Sequence, residues 1–389
     1  MNRMPPQVRD LVRELPDSQI REVAVGFIGN DDLVALWFGE SDEQTPEFIK
    51  DAAKAALDAG ETFYAGNSGI DPLRDEIQAY MKRVYGRDFE RDRFTVTASG
   101  MNAIMLAFQA LVDPGDNVLV VSPVWPNCAE TVNIMGGEVR RVLLQEKDGH
   151  WSLDLDRIFD QADNRTRALF VNSPNNPTGW MMSEAERDEI MAWARKRGIW
   201  LIADDVYARL VYDRHHAPAF VEVADPDDRL IAINSFSKSW SMTGWRLGWI
   251  TAPVSLSRSL AKLTEYNIAA PTTFVQHAGV AALRDGDPYV ADMVERLRRR
   301  RDLVTQSLGR FSRVRYTPPD AAFYAFFAVE GIEEEGSLAF AKRLRDEAGV
   351  GLAPGSAFGP GGEGYLRLCF ASSEAALSEA MDRLQPWLD

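Results

Sequence analysis

The residues with the greatest chemical potential lie in one stretch, Asn234-Ser235-Phe236-Ser237-Lys238-Ser239-Trp240-Ser241-Met242-Thr243-Gly244-Trp245-Arg246. A single lysine follows an apolar run that reads as a buried strand. Serines flank it, and an arginine closes a Thr-Gly-Trp-Arg turn eight residues later. Burial penalises the charged form of an amine, so the pKa of Lys238 should fall. A neutral amine is the form that Schiff-base chemistry requires. The hydroxyls of Ser235 and Ser237 and the guanidinium of Arg246 are donors suited to a phosphate. A lysine by itself is usually a solvated charge; this constellation reverses that reading.

Three further motifs follow apolar runs. Thr97-Ala98-Ser99-Gly100-Met101 leads from a strand into a helix, where backbone N–H groups and the helix dipole favour an anion. Asn172-Ser173-Pro174-Asn175-Asn176-Pro177-Thr178-Gly179 has the composition of a turn, and a cis proline bond there would fix it tightly. Ala203-Asp204-Asp205-Val206-Tyr207 ends another strand; in isolation its acids could be no more than loop or cap residues. Arg367, inside the apolar run Tyr365–Phe370, needs an anionic partner to offset its burial. Its planar fork suits a carboxylate, with an internal ion pair as the alternative.

In this order the motifs resemble those of the class I/II aminotransferases, pyridoxal-phosphate-dependent enzymes of fold type I related to aspartate aminotransferase. The resemblance extends from about Val34 to Phe370. It implies that Lys238 carries pyridoxal 5'-phosphate and acts as general base once released. Asp204, chosen over Asp205 by its spacing to Tyr207, would keep the pyridine nitrogen protonated, so that the ring remains an electron sink. Tyr207 and Asn176 would bond the phenolic oxygen. Ser99, Gly100 and Met101 resemble the phosphate cup, completed by Ser235, Ser237 and Arg246. Trp125, in Ser-Pro-Val-Trp-Pro, stands where the family places a ring that stacks on the pyridine and borders the substrate. Tyr64 resembles a tyrosine that crosses a dimer interface to the phosphate, which implies a homodimer. Arg367 would grip the substrate α-carboxylate, aided by the backbone at Gly39, with Asn176 also on the substrate side. Some aspartate-preferring relatives carry a lysine where this chain has Met101, a departure that weighs against aspartate.

These residues need a scaffold that aligns strand ends. Short apolar runs without polar alternation occur at Phe94–Thr97, Asn117–Ser122, Ala168–Asn172, Ile199–Ala203, Leu230–Asn234 and Gly248–Thr251, separated by helical segments such as Met101–Val112, Ser183–Arg197 and Val254–Asn267. That pattern predicts an α/β fold with a mostly parallel sheet covered on both faces; the resemblance implies seven strands. A charged helix over Pro288–Leu308 precedes strands at Val314–Tyr316, Phe323–Ala328 and Tyr365–Phe370. Helices follow at Leu338–Ala348 and Ala375–Leu384, the last stopped by Pro386. This reads as a smaller α+β domain. The expected division is 46–284 for the large domain, with 1–45 and 285–389 forming the small one.

Composition excludes several classes. Of 389 residues, 43 are Lys or Arg and 58 Asp or Glu, a net charge of −15 that disfavours nucleic acid and anionic lipid as partners. Arg298–Arg301 reads as a solvated helix face rather than a nucleic-acid site. Two cysteines and four histidines show neither a disulfide framework nor metal-ligand spacing. The expectation is no metal, no membrane and a cytoplasmic enzyme. The expected reaction moves the amino group of an L-amino acid to a 2-oxo acid such as 2-oxoglutarate, in two half-reactions. Rival readings are a carbon–sulfur β-lyase on the same fold and a cofactor-binding regulator, which would need a fused DNA-binding module. Met101 and Trp125 point to a pocket that tolerates apolar side chains, and Arg21 reads as a surface charge, with an approach to the pocket as the alternative.

Overall fold

The computed structural model describes residues 8–30, 32–147 and 149–389. Seven strands form the central sheet: β1 (Phe94–Thr97), β2 (Asn117–Ser122), β3 (Glu138–Leu143), β4 (Thr166–Asn172), β5 (Trp200–Asp204), β6 (Leu230–Ser235) and β7 (Gly248–Thr251). Their spatial order is β1-β7-β6-β5-β4-β2-β3. β7 alone runs antiparallel to both its neighbours. Side chains alternate between two cores, as the period of a strand demands. Val118 and Val120 of β2 pack on one face with Phe108 and Leu260, while Leu119 and Val121 pack on the other with Ile77 and Met191. Burial on both faces explains why these strands read as continuous apolar runs.

β3 had no such signature. It lies at the sheet edge, mostly half-exposed, and carries Arg140 and Arg141. Charged side chains on an edge strand discourage pairing with another chain, and they also hide the strand from a search for apolar runs.

The parallel strands end together. Ser122, Asn172, Asp204 and Ser235 are last residues of β2, β4, β5 and β6, and helix α1 (Gly100–Leu111) opens just beyond β1. Loops at the carboxyl edge of such a sheet are where ligands bind in α/β folds.

The remainder is a smaller α+β unit. Helix α2 (Asp287–Leu308) leads to strands β8 (Val314–Tyr316), β9 (Tyr324–Val329), β10 (Ala353–Pro354) and β11 (Tyr365–Cys369), ordered β8-β9-β11-β10. A chain segment far away in sequence joins it, because Val34–Ala35 pairs in parallel with Val350–Gly351. The helix expected to stop before Pro386 instead spans Glu374–Leu388 with the proline inside. A proline in the last turn removes one hydrogen bond where the helix is already ending, so the break is not enforced. The segment expected as one helix over Leu338–Ala348 is an α-helix to Arg343 and a π turn from Leu344 to Ala348.

The arginine run on α2 is paired throughout. Arg298 meets Glu295, Arg299 meets Glu374, and Arg301 meets Asp302. Arg300 departs from the solvated-face reading: it is buried and reaches Asp42 and Glu43. Arg296 forks onto Glu43 with two bonds of 2.8 Å. The helix thereby pins the loop that carries Gly39. Among the described residues no helix is long and apolar enough to cross a membrane.

Candidate active site

The strand ends open into a cavity of about 470 Å³ whose wall includes Lys238, Asp204, Tyr207, Asn176, Trp125, Gly100, Met101, Ser235, Ser237, Arg246, Gly39 and Arg367. These residues span Gly39 to Arg367, yet they converge because each large-sheet loop starts at the same edge.

Lys238 lies three residues past the end of β6, deep in the wall. Its ammonium donates to the carbonyl of Gly39. Burial brings its pKa down to about 8 from the usual 10.5. Asp204 is buried, and burial pushes its carboxyl up to about 7 from 3.8. Among the described residues its side-chain oxygens accept one hydrogen bond, a long one of 3.4 Å from the Val206 N–H. No cationic side chain pairs with it among the described residues. Asp205, also buried, is absent from the cavity wall; its carboxyl is raised by burial and then by the charges of Asp204 and Glu222.

One end of the cavity is an anion cradle. Ser99 caps α1, its hydroxyl accepting from the Asn102 N–H at 2.9 Å, so Ser99 shapes the helix start from behind the wall. The first-turn amides at Gly100 and Met101 have no partner within the helix. Gly248 allows the backbones to meet, since a Cβ there would lie 2.9 Å from the Gly100 nitrogen. Ser235 donates to Ser237 at 3.0 Å. Arg246 sits in the left-handed region at φ 55° and donates to the Thr243 carbonyl at 2.6 Å. A non-glycine residue held there stores roughly 1 kcal/mol or more. Arg246 has no acidic partner among the described residues.

Arg367 also lines the cavity and is 2% exposed. The internal ion pair does not form among the described residues. Its guanidinium carbon lies 4.6 Å from the centre of the Tyr324 ring and 5.0 Å from that of Phe358. It donates to Asn176 Oδ1 at 3.1 Å and to the Trp37 carbonyl, and its Nε has no partner among the described residues. Because Asn176 uses its oxygen on Arg367, the amide NH2 is left to face elsewhere. Asn172 braces the loop: it accepts from the Asn176 N–H at 2.8 Å and donates to the Asp204 carbonyl at 3.1 Å. The Ser173–Pro174 and Asn176–Pro177 bonds are cis.

Tyr64 is not brought into this wall; it is 90% exposed on the chain surface. Arg21 meets both readings given to it: it is exposed and it borders the cavity, its guanidinium carbon 6.0 Å from the centre of the Phe38 ring. Sequence reasoning missed Tyr324, whose hydroxyl lies 2.6 Å from that of Tyr207. In the run Phe323–Val329 only its polar tip set it apart from neighbours that pack the core. Trp37, whose carbonyl receives Arg367, gave no signal, because a backbone contact leaves no trace in residue type.

This donor set fits pyridoxal phosphate. A buried carboxylate lacking a cation answers a pyridinium; a helix start, two serines and an unpaired arginine answer a phosphate; a lysine poised near neutrality answers an aldehyde. Residues 32–384 match the family "Aminotransferase class I and II". The chain is 35% identical over 375 residues to an aspartate aminotransferase of Pyrococcus horikoshii, covering 96% of this chain and 95% of that one. It is 34% identical over 381 residues to aromatic-amino-acid aminotransferase 2 of Thermococcus litoralis, covering 97% of each. The aspartate aminotransferase from Thermus thermophilus with maleate superposes with a TM-score of 0.91 at 32% identity, over 98% of this chain and 100% of that one. The chain therefore belongs to the class I and II aminotransferases, on the fold type I scaffold. It is a pyridoxal-phosphate-dependent enzyme with aminotransferase activity.

Proposed function

We propose that this enzyme transfers the amino group of an L-amino acid to a 2-oxo acid in this cavity, in two half-reactions sharing one site. When bound, pyridoxal phosphate supplies a carbon that carries the amino group and a ring that delocalises the electrons released at the substrate Cα. Lys238 Nζ would take the Cα proton and deliver it to the cofactor carbon that carries the amino group; a pKa near 8 leaves an appreciable neutral fraction at physiological pH. Asp204 holds a proton at the ring nitrogen. Tyr207 and the Asn176 NH2 donate to the phenolic oxygen. The amides at Gly100 and Met101, the Ser235 and Ser237 hydroxyls and Arg246 bind the phosphate, with Ser99 fixing the helix start. Trp125 covers the ring, and Gly39 lines the substrate side.

The observation that carries this reading is Arg367, a buried cation with an unpaired Nε and no carboxylate of its own among the described residues, in the same wall as a lysine near neutrality. Arg367→Ala is expected to weaken amino acids at least ~30-fold, while amines lacking a carboxylate lose little. A half-reaction screen against the twenty amino acids, following the cofactor's absorbance in both proteins, reads this out. Equal losses for both ligand classes would overturn the carboxylate role.

The same screen addresses substrate choice. Met101, Ile104 and Trp125 favour apolar side chains, whereas Arg21 at the mouth supports a dicarboxylic 2-oxo acid such as 2-oxoglutarate as acceptor. We also propose a homodimer in the cytoplasm, with Tyr64 reaching the partner's phosphate site. Phe63, Tyr64 and Tyr266 are each more than four-fifths exposed, a display of aromatic surface that favours a covering chain. Sedimentation should give a dimer mass, and Tyr64→Phe should weaken cofactor affinity by about fivefold; a monomer with full cofactor affinity would refute both. A core that gathers Ile20, Leu36 and Trp37 with residues from Met293 to Leu388 supports a division at 46–284 against 1–45 with 285–389, and Tyr207, Leu210 and Tyr212 join it from the large unit.

A further inference from the structure

Tyr324 is wholly buried in β9, and the roles above leave it without one. It nevertheless touches three parts of the site. Its ring lies 4.6 Å from the Arg367 guanidinium carbon, on the sheet face that register gives to both residues: Tyr324 is opposite Cys369, two positions along from Arg367. Its hydroxyl is 2.6 Å from that of Tyr207. The same hydroxyl occupies the space beside Gly39, where a Cβ would lie 2.1 Å away, and the Gly39 carbonyl receives the Lys238 ammonium.

A hydroxyl has one proton, and neither phenol has another hydrogen-bond partner among the described residues. Burial raises both above the usual tyrosine range, so both are protonated at neutral pH. Only the direction of the bond remains to be decided. The Arg367 charge rests on the Tyr324 ring, which makes Tyr324 the more acidic phenol and hence the better donor. Tyr207 then accepts, and its own O–H is free to turn into the cavity.

We propose that Tyr324 is a positioning residue: its ring holds the Arg367 guanidinium flat for a carboxylate, and its hydroxyl donates to Tyr207 so that Tyr207 can donate to the cofactor's phenolic oxygen. The inference rests on the reading of Tyr207 given above. A phenol that accepts a hydrogen bond becomes a stronger donor, and a donor at the phenolic oxygen favours its ionised form.

The test titrates the absorbance of the cofactor-loaded protein against pH. Tyr207→Phe should raise the midpoint by about one unit, and Tyr324→Phe should raise it by roughly half as much. The double variant should match Tyr207→Phe alone. Binding of maleate, a carboxylate with no amino group to transfer, should stay within about twofold in Tyr324→Phe and weaken about tenfold in Tyr324→Leu. A wild-type midpoint in Tyr324→Phe beside a shifted one in Tyr207→Phe, or additive shifts in the double variant, overturns the inference and leaves the proposed function standing. An unmoved midpoint in Tyr207→Phe overturns the reading of Tyr207, and the inference with it. Tyr324→Phe removes a single oxygen, so its spectrum decides the hydroxyl's role even where the leucine variant does not fold.

Discussion

Replacing Lys238 with alanine is expected to lower transamination by ~10⁴-fold or more, because in the proposed mechanism one amine both anchors the cofactor and moves the Cα proton. A companion measurement needs no turnover. In the cofactor-free protein, capture of an aldehyde at Lys238 should rise with pH and level off above about 8, the value to which burial lowers this amine. Solvated lysines level off near their ordinary range, about two units higher. Near-wild-type turnover in Lys238→Ala would remove the basis of the mechanism, and a midpoint at the ordinary lysine value would show that the amine is not desolvated.

Asp204→Asn separates activity from stability. Activity should fall by about 10²–10³-fold, the usual consequence of removing a preorganised charge from a developing electronic rearrangement. Stability should move the other way. The carboxyl has a folded-state pKa of about 7 against 3.8 in a model peptide, so the folded protein holds that proton more tightly than the unfolded chain. Below about pH 4 both states are protonated and the group contributes no difference. Between about 4 and 7 the unfolded chain ionises first, and stability declines as pH rises; above about 7 the loss is complete. It amounts to ~4 kcal/mol at most. The cofactor-free asparagine variant should therefore resist denaturant better than wild type at pH 8 and equally at pH 4. Bound cofactor should reverse the order at pH 8, since in the proposed arrangement the carboxylate then faces the protonated ring nitrogen. Chemical denaturation at several pH values, with and without pyridoxal phosphate, checks both statements. A wild-type apoprotein as stable as the variant at pH 8 would mean that Asp204 is not held out of water.

An uncompensated buried acid, a lysine stripped of solvent and an arginine in a left-handed conformation all lie along one cavity wall. Each conflicts with what stability alone would choose, and such conflicts are expected where binding or catalysis is built. They also explain why the site was so legible. Asp204 ends a strand, and Lys238, Asn176 and Ser99 each follow one by only a few residues, so one local segment specifies both the element and the side chain at its end. The aromatic residues were less local. Trp125 reaches the wall through a loop tied by its N–H to the Asn176 carbonyl, a contact across some fifty positions.

The sequence by itself determined the alternation of buried strands and amphipathic helices, the chemistry of the lysine loop, and the need of Arg367 for a counterpart, because these follow from residue type and short-range spacing. Only the tertiary structure decided what Arg367 meets: two aromatic faces, an asparagine oxygen and a backbone carbonyl. It alone brought Tyr324 to Tyr207, set Arg21 at the cavity mouth, turned Arg300 inward and added β3 at the sheet edge. Those outcomes depend on side chains and carbonyls from segments far apart, which come together only when two separate cores pack. No local pattern encodes which buried polar groups will face each other once water has left the space between them.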